Sequence, residues 1–334
     1  MRKIIFRFSS WIRKIKHYIS LFFEEKPVKP WSVIKHSAGA AVCYLLYEAS
    51  IADYFEMRFF EKLHRVRKTY FTSNQARRFI YRVNGAENTR RFHDKIYMYR
   101  TLAPFTKREQ LFCPPESYQE FENFIQKHRA VLYKNNHTYS GTGIELWSID
   151  NSSLPELYEK SLEHSAVLDE LVIQHPDIAR FHPDSINTVK IYTFMIQNDC
   201  HFIAAEFRMG RKESFVDNIE SGGLAACVDL ATGTIVGFAY DLQGNEYSVH
   251  PDTKVEIAGY KLPNWEEVLR FAEECARACP LAYVEWDLAI REKDCVLIEA
   301  NPNARNCGIQ MGVFQGRKKQ FQELENLFVQ MSAQ

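Results

Sequence analysis

Two carboxylates and an amide near the end of the chain have the types and spacing of a metal site. Asp287 stands within an apolar run at 284–290, and Glu299 and Asn301 end the next apolar run. A charged turn at 291–294 separates the runs, which predicts an antiparallel hairpin. Side chains alternate along a strand, so Glu299 and Asn301 share a face, and Mg²⁺ accepts such oxygens together with nucleotide phosphates. The alternative is that both carboxylates are ordinary solvated charges on an edge hairpin.

A second candidate is a lysine followed by a polar turn that contains glycines. Lys134 ends an apolar run, and Ser140, Gly141 and Gly143 follow it within the segment NNHTYSGTG. Such a turn lets backbone N–H groups surround phosphate oxygens, and the lysine adds a positive charge. The order differs from G-x-x-x-x-G-K-[ST], so this is not a Walker A motif. A simple β-turn is the alternative.

A third candidate is the long cationic loop within 207–224. It contains Arg208, Arg211 and Asn218 and closes on a pair of glycines. An arginine that faces a transferring phosphoryl group stabilises the charge that develops there. Long loops inside compact domains are usually functional, which favours this interpretation over plain surface charge.

Short apolar runs separated by turn residues must position these groups. After Asn84-Gly85, the pattern predicts strands joined by hairpins, interrupted by helices over 265–279 and 321–328. We therefore predict an α+β class with a largely antiparallel sheet. The predicted strands lie at 130–134, 187–196, 201–210, 224–230, 234–241, 284–290 and 295–300.

The first 85 residues predict an N-terminal helical module. Residues 1–23 place apolar side chains three or four apart among many Lys and Arg, which indicates a basic amphipathic helix ended by the Pro-bearing stretch 26–30. Its apolar face could enter an anionic membrane surface. The alternative is that this face packs on the body of the protein.

Composition excludes several classes of protein. The 334 residues carry 42 Lys and Arg against 42 Asp and Glu, which provides no global field for nucleic acid, so we predict no nucleic-acid partner. The eight cysteines lack the spacing of a disulfide scaffold, which favours a reducing compartment. No apolar run of about 18 residues is present. We predict a cytoplasmic protein, peripheral at the inner face of the membrane if residues 1–23 bind lipid.

The joint order of these motifs resembles the ATP-grasp superfamily, and within it the branch associated with sugar transfer and polysaccharide biosynthesis. Related motifs occur in RimK-like and glutathione synthetase-type ligases. The resemblance implies two α+β lobes, at 86–169 and 170–334, that follow the helical module. The residues that carry it are Asp94-Lys95, Lys134 with 140–143, 169–174, 182–190, 207–218 with 221–223, His250-Pro251, and Trp286-Asp287 with 299–301.

The resemblance implies the nucleotide site. Lys95 and Lys134 would hold the α- and β-phosphates of ATP, beneath the glycine turn. The segment Glu170, Leu171, Val172 and Ile173 would pack against adenine, with Glu170 near the exocyclic amine. Two Mg²⁺ ions would be held by Asp287, Glu299 and Asn301, with Glu299 between them.

The same resemblance implies the reacting groups. Arg208 would face the γ-phosphate, with Lys190 and Asn218 as further catalytic residues. Lys190 stands where the related segment has arginine, so a structural role at the edge of the core stays open. Arg305, His250 and Arg211 are candidates for binding the acceptor. His182, like His250, precedes a proline and could line the substrate cleft, with an ordinary turn histidine as the alternative.

The implied activity is an ATP-dependent carboxylate–amine ligase that works through an acyl phosphate. The family's association suggests an amino acid joined to a uronic acid or amino sugar, with a small-molecule or glycan acceptor. The first alternative is a kinase that phosphorylates a sugar hydroxyl on the same nucleotide site. The second is a nucleotide-binding protein without turnover.

Overall fold

The computed structural model describes residues 2–138, 143–149, 153–304, 308–311 and 315–332, with side chains from Ser9 onward. Helices and two antiparallel sheets alternate along the chain, which confirms the predicted α+β class. The N-terminal helices are α1 (Arg2–Phe23), α2 (Pro30–Tyr47), α3 (Ile51–Glu56), α4 (His64–Arg67) and α5 (Ser73–Asn84). Three more precede the first strand: α6 (Ala86–Phe92), α7 (Lys95–Thr101) and α8 (Ala103–Thr106).

The apolar face of α1 packs inside the helical module. Ile15 and Ile19 are fully buried, and the Tyr18 ring stacks on Phe55 of α3 with 5.1 Å between ring centroids. The Tyr18 hydroxyl also donates a hydrogen bond of 3.0 Å to Glu56. In the described part of α1, these apolar side chains therefore pack on the body of the protein, which was the predicted alternative to membrane contact. The part of this face that Ile15, Tyr18 and Ile19 form is packed against protein.

The last helix of the module is joined to the rest of the chain by a buried side-chain amide. Asn84 of α5 accepts from the Tyr283 backbone N–H at 2.8 Å and donates to the Tyr283 carbonyl at 2.7 Å. Gln310 makes the same pair of bonds to Phe71, at 2.8 and 2.9 Å. Each amide satisfies a backbone pair that burial would otherwise leave without a partner.

A four-stranded antiparallel sheet lies between residues 110 and 170. It comprises β1 (Gln110–Phe112), β2 (Ala130–Lys134), β3 (Ile144–Ser148) and β4 (Val167–Glu170), in the order β1-β4-β2-β3. Helices α9 (Tyr118–His128) and α10 (Leu154–Glu163) contribute Phe121, Ile125 and Leu157 to its buried face. The strand predicted at 130–134 is confirmed.

A seven-stranded antiparallel sheet forms the main core, after the short helix α11 (Pro176–Ala179). Its order is β11-β10-β5-β6-β7-β8-β9. The strands are β5 (Val189–Ile196), β6 (Asp199–Met209), β7 (Leu224–Val228), β8 (Ile235–Tyr240), β9 (Glu246–Tyr247), β10 (Tyr283–Ile290) and β11 (Cys295–Asn301). They lie within two residues of the predicted runs at either end, except for the short β9, which was not predicted.

Three helices complete the fold. Helix α12 (Trp265–Ala278) packs on the large sheet because its apolar side chains recur three and four residues apart, as at Val268, Phe271, Ala272 and Cys275. Short α13 (Gly308–Met311) and α14 (Lys318–Ser332) follow β11. The domain boundaries at 85/86 and 169/170 stay predictions; they fall at the residue before α6 and within the last two residues of β4.

Candidate active site

A cavity of about 270 Å³ lies between the two sheets. One part is apolar, with Leu132 and Leu146 from the small sheet and Ile298 from β11 of the large sheet. Another part carries charge, with lysines and carboxylates from five different elements. An apolar slot that continues into a charged pocket suits a flat base linked to phosphates. The charged lining residues include Lys95, Lys134, Asp169, Asp287 and Glu299.

Lys134, at the end of β2, is a buried cation held by a buried carboxylate. Its Nζ atom lies 2.5 Å from Asp169 Oδ2 and donates to the Tyr99 hydroxyl at 2.8 Å. Arg108 donates to the same carboxylate at 3.0 Å. Burial opposes the charge on Lys134, but Asp169 outweighs it and raises the lysine pKa. Burial also opposes the Asp169 charge, yet Arg108 and Lys134 lower that pKa to about 2.

Lys95 begins α7 and supports the glycine turn. Its Nζ atom donates to the Thr138 carbonyl at 2.5 Å, and its backbone N–H donates to Asn136 Oδ1 at 2.8 Å. Burial lowers the pKa of Lys95, against the attraction of Glu299. Gly143 has φ +70°, and a Cβ there would collide with the Thr138 side chain, so this end of the turn requires glycine. Ser140 and Gly141 lie outside the described residues.

Three of the four residues predicted to pack against adenine line the cavity. Glu170 is the last residue of β4, and Leu171 and Val172 follow it directly. Glu170 is held by the backbone N–H of Glu109, which donates to its carboxylate at 2.9 Å. Ile173 is 84% exposed and is not part of the lining, so its predicted role is not supported by its position.

The predicted metal ligands come together on the terminal hairpin. Asp287 of β10 is directly opposite Glu299 of β11, and both line the cavity between the two sheets. Asn301 is opposite Glu285 and donates to its carboxylate at 3.2 Å. Lys190 of β5 reaches the same place, with Nζ 2.7 Å from Glu285 Oε1 and 2.6 Å from Asp287 Oδ1.

Electrostatics at this hairpin suit a cation. Burial, with the nearby carboxylates of Glu285 and Glu299, raises the pKa of Asp287 to about 7 even though Lys190 opposes the shift. Burial alone would raise the pKa of Glu285, but Lys190 outweighs it and lowers that pKa. Within the described ranges no three His, Cys, Asp or Glu side chains form a metal cluster. Two carboxylates with an amide fit Mg²⁺, which completes its shell with water and phosphate oxygens.

A second, polar cavity of about 430 Å³ adjoins the first and shares Asn218, Asp287 and Glu299 with it. Arg208 lines this second cavity rather than the first, and its Nη2 atom donates to the buried Glu206 at 3.1 Å. Its Nε atom is buried with no hydrogen-bond partner among the described residues. A guanidinium N–H that no described residue uses is a suitable donor to a phosphoryl oxygen. The other lining residues are His93, Lys190, Tyr192, Glu220, Glu285, Asn301, Asn303 and Ala304.

The long cationic loop is anchored so that Asn218 stands where the cavities meet. Asp217 accepts from the Thr188 backbone at 2.8 Å and from its hydroxyl at 2.6 Å. The Asn218 carbonyl then accepts from the Gly223 N–H at 3.0 Å, which closes the loop. A Cβ on Gly223 would collide with the Asp217 carbonyl oxygen, so the close approach requires glycine.

Two predicted acceptor-binding residues lie elsewhere. His250 is fully buried, and its Nε2 atom is 2.9 Å from the Gly210 carbonyl. Arg211 donates to the Tyr247 hydroxyl at 3.0 Å and lies 3.9 Å from Asp241. Neither lines either cavity, so their positions do not support the predicted contact with an acceptor, which stays a prediction. His182 is likewise buried, 2.7 Å from the Lys212 carbonyl, and Arg305 lies outside the described residues.

Sequence reasoning missed three buried carboxylates. Glu285 could have been found, because it lies two residues before Asp287 and must share its face. Asp169 directly precedes the adenine segment but was not given a role. Glu206 holds Arg208 and accepts from the Tyr240 hydroxyl at 2.7 Å, contacts that no local pattern marks.

The two-sheet cleft, its paired lysines and its carboxylate hairpin define an ATP-grasp protein. Residues 74–326 match the model of the sugar-transfer associated ATP-grasp family, which covers more than half of the chain. The chain belongs to that family. No match was found among curated proteins.

Solved structures with related architecture include ATP-grasp ligase PsnB complexed with its precursor peptide PsnA2 and AMPPNP. It has 13% identity and a TM-score of 0.45, over 79% of this chain and 69% of that chain. D-alanine–D-alanine ligase from Bacillus anthracis has 13% identity and a TM-score of 0.43, over 75% and 70%. A RiPP-associated ATP-grasp ligase from Chryseobacterium gregarium has 12% identity and a TM-score of 0.43, over 72% and 60%.

Proposed function

We propose that this chain is an ATP-dependent carboxylate–amine ligase. A substrate carboxylate oxygen attacks the γ-phosphorus of ATP, which forms an acyl phosphate and releases ADP. An amine then attacks the acyl carbon, expels inorganic phosphate and, after losing a proton, becomes an amide. Carboxylates are poor electrophiles because the oxide is a poor leaving group, and phosphate is a better one. The chemistry requires alignment and charge neutralisation rather than a protein nucleophile.

The observation that carries this proposal is the junction of the two cavities. A nucleotide in the first cavity would place its terminal phosphate toward Asn218, Asp287 and Glu299, which line both cavities. An acceptor in the second cavity would meet that phosphate from the opposite side. This arrangement suits in-line transfer from nucleotide to acceptor.

The charged groups divide between binding and transfer. Lys95 and Lys134 would hold the α- and β-phosphates, and the ion pair with Asp169 keeps Lys134 charged and in place. Asp287, Glu299 and Asn301 would hold Mg²⁺, two ions by the family resemblance, which would neutralise phosphate charge. Arg208 would donate to the transferred phosphoryl group from the acceptor side, with Asn218 beside it.

The acceptor is proposed to be sugar-derived, such as a uronic acid or amino sugar, with an amino acid as the other partner, in polysaccharide biosynthesis. The family association supports this assignment. A second observation agrees with it: Asn303 lines the acceptor cavity and also a larger one of about 810 Å³ in the helical module. That cavity offers Trp11, Tyr44 and Arg77, aromatic faces and a cation that suit an acidic sugar. The role of Arg305 stays a prediction.

A phosphate-release screen tests the activity. The purified chain is incubated with Mg-ATP and pairs of amino acids with uronic or amino sugars, and ADP and phosphate are measured together. For the ligase, we expect ADP and inorganic phosphate to be released in equal amounts, and only when both substrates are present. Added hydroxylamine should trap the acyl phosphate as a hydroxamate. ADP with a phosphorylated sugar and no free phosphate identifies a kinase. ATP binding without ADP release across the screen leaves only nucleotide binding.

A further inference from the structure

The outer face of α2 is an apolar surface exposed on the helical module. Trp31, Ile34 and Leu45 are 59%, 71% and 78% exposed, and Val42 and Leu46 are exposed beside them. Their spacing places them on one stripe, opposite the face that packs in the core. The 18-residue helix carries one charged residue, Lys35. A contiguous apolar stripe of this length indicates a binding surface rather than scattered surface residues.

A basic segment packs against the core-facing side of the C-terminal half of α2. Residues 62–68 read KLHRVRK, and they include α4. His64 Nδ1 lies 2.6 Å from the Tyr47 hydroxyl, and Arg67 Nη1 lies 3.8 Å from Cys43 Sγ, so both contact α2. Leu63, Arg65 and Lys68 are exposed. The module therefore presents an exposed apolar stripe on α2 and exposed cations on a segment that contacts the same helix.

The charge of the whole chain is divided unevenly. Residues 1–85 contain 17 Lys and Arg against 6 Asp and Glu, a net charge of +11. The remaining residues contain 25 Lys and Arg against 36 Asp and Glu, a net charge of −11. The neutral total conceals this asymmetry, which is typical of proteins with one face directed to a polyanion or an anionic membrane.

We propose that α2 and the segment 62–68 dock on an anionic lipid bilayer, with α2 lying in the plane of the interface. Apolar side chains would enter the acyl boundary, while Lys35, Arg65 and Lys68 contact lipid headgroups. No helix in the described part of the chain is long and apolar enough to span a bilayer. This surface differs from the apolar face of α1, where Ile15 and Ile19 are buried against protein.

Charge and chemistry favour lipid over other occupants. A second copy would bring two modules of net charge +11 together across the apolar stripe, which like-charge repulsion opposes. Nucleic acid would satisfy the cations but would leave the stripe of Trp31, Ile34 and Leu45 without an apolar partner. An anionic bilayer satisfies both features at once. The proposal is independent of the ligase activity.

Vesicle flotation with the full chain tests the proposal. Vesicles of phosphatidylcholine alone are compared with vesicles that contain about one third phosphatidylglycerol, at about 0.1 M salt. We expect binding to the anionic vesicles only, with weaker binding at higher salt. The variant Ile34→Ser/Leu45→Ser should reduce the bound fraction about tenfold, because it removes apolar contact. Arg65→Gln/Lys68→Gln should reduce both binding and its salt dependence.

The matched control is Val236→Ser/Val329→Ser, which changes two exposed apolar residues outside the module. It should bind vesicles as the unchanged chain does, and the melting temperature of every variant is compared to confirm folding. Equal vesicle binding by the α2 variant and the unchanged chain would overturn the proposal. A chain that does not bind anionic vesicles would also overturn it. This holds even if the chain binds an RNA homopolymer, or forms a dimer that Ile34→Ser/Leu45→Ser abolishes.

Discussion

Asp287 and Glu299 are direct neighbours across the β10–β11 pair, and each lines both the 270 Å³ cavity and the adjoining 430 Å³ cavity. Lys190 is opposite Asp287 on the other side, in β5, with Nζ 2.6 Å from its carboxylate. The predicted metal ligands and a lysine that compensates their charge therefore lie on three neighbouring strands.

Glu299→Gln should weaken the dependence on magnesium far more than it weakens folding. The substitution keeps size but removes the charge that would hold the ion, so we expect the Mg²⁺ concentration for half-maximal ADP release to rise about 10- to 100-fold. Glu292→Gln, in the exposed hairpin turn, is the matched control. An unchanged magnesium requirement in Glu299→Gln would refute the metal assignment.

Lys134→Met should weaken ATP binding about 10- to 100-fold, since a charge-assisted hydrogen bond contributes about 1.5–3 kcal/mol. Binding is measured by isothermal titration, with Lys293→Met at the exposed hairpin turn as control. The substitution also removes a positive charge that compensates the buried Asp169 carboxylate. Lys134→Met/Asp169→Asn therefore separates the two effects: it should recover part of the stability and none of the affinity. Normal affinity in either variant contradicts the phosphate role.

Asp169 should make stability depend on pH in the acid range. Its pKa is about 2 in the folded chain against an ordinary value of 3.8. A depressed carboxylate pKa stabilises the fold above the unfolded value, and this contribution of about 2 kcal/mol is lost as pH falls toward about 2. Urea unfolding should show that the stability gap between the unchanged chain and Asp169→Asn narrows below about pH 4. A gap that stays constant would contradict the buried ion pair.

Glu285→Gln should lower kcat while leaving ATP affinity unchanged. Glu285 accepts from Lys190 and Asn301 and lines the acceptor cavity, but it is not part of the nucleotide cavity. It acts as a positioning residue, and the amide keeps one acceptor oxygen. Glu285→Ala should also destabilise the fold by about 3 kcal/mol, because Lys190 loses a buried partner. A loss of ATP affinity as large as that of Lys134→Met would argue against this role.

The hairpin at 284–301 was predictable because its information is local. Alternation of apolar residues and a charged turn determine the pairing and the shared face. The partner of Asp287 was not predictable in the same way. Lys190 lies 97 residues away in sequence, and only the order of strands in the sheet brings it there.

The apolar face of α1 shows another limit of sequence patterns. Ile15 and Ile19 have helical spacing that satisfies a protein core and a lipid surface equally well. Only the position of α3 decides between them. The contacts of His250 and Arg211 with Gly210 and Tyr247 were not predictable for a related reason, because residue type does not reveal the direction of a side chain.

The side-chain amides of Asn84 and Gln310 each form a pair of hydrogen bonds with a backbone segment, at Tyr283 and Phe71 respectively. These bonds join distant parts of the chain in its interior. Two segments that depend on each other in this way are difficult to exchange separately between relatives. A recombinant that took its first 85 residues from a homologue without Asn84 would lose both hydrogen bonds to the Tyr283 backbone, whereas Gln310 would still meet the backbone of residue 71. We therefore expect the two segments to be inherited together, and chimeras divided at this boundary to fold poorly.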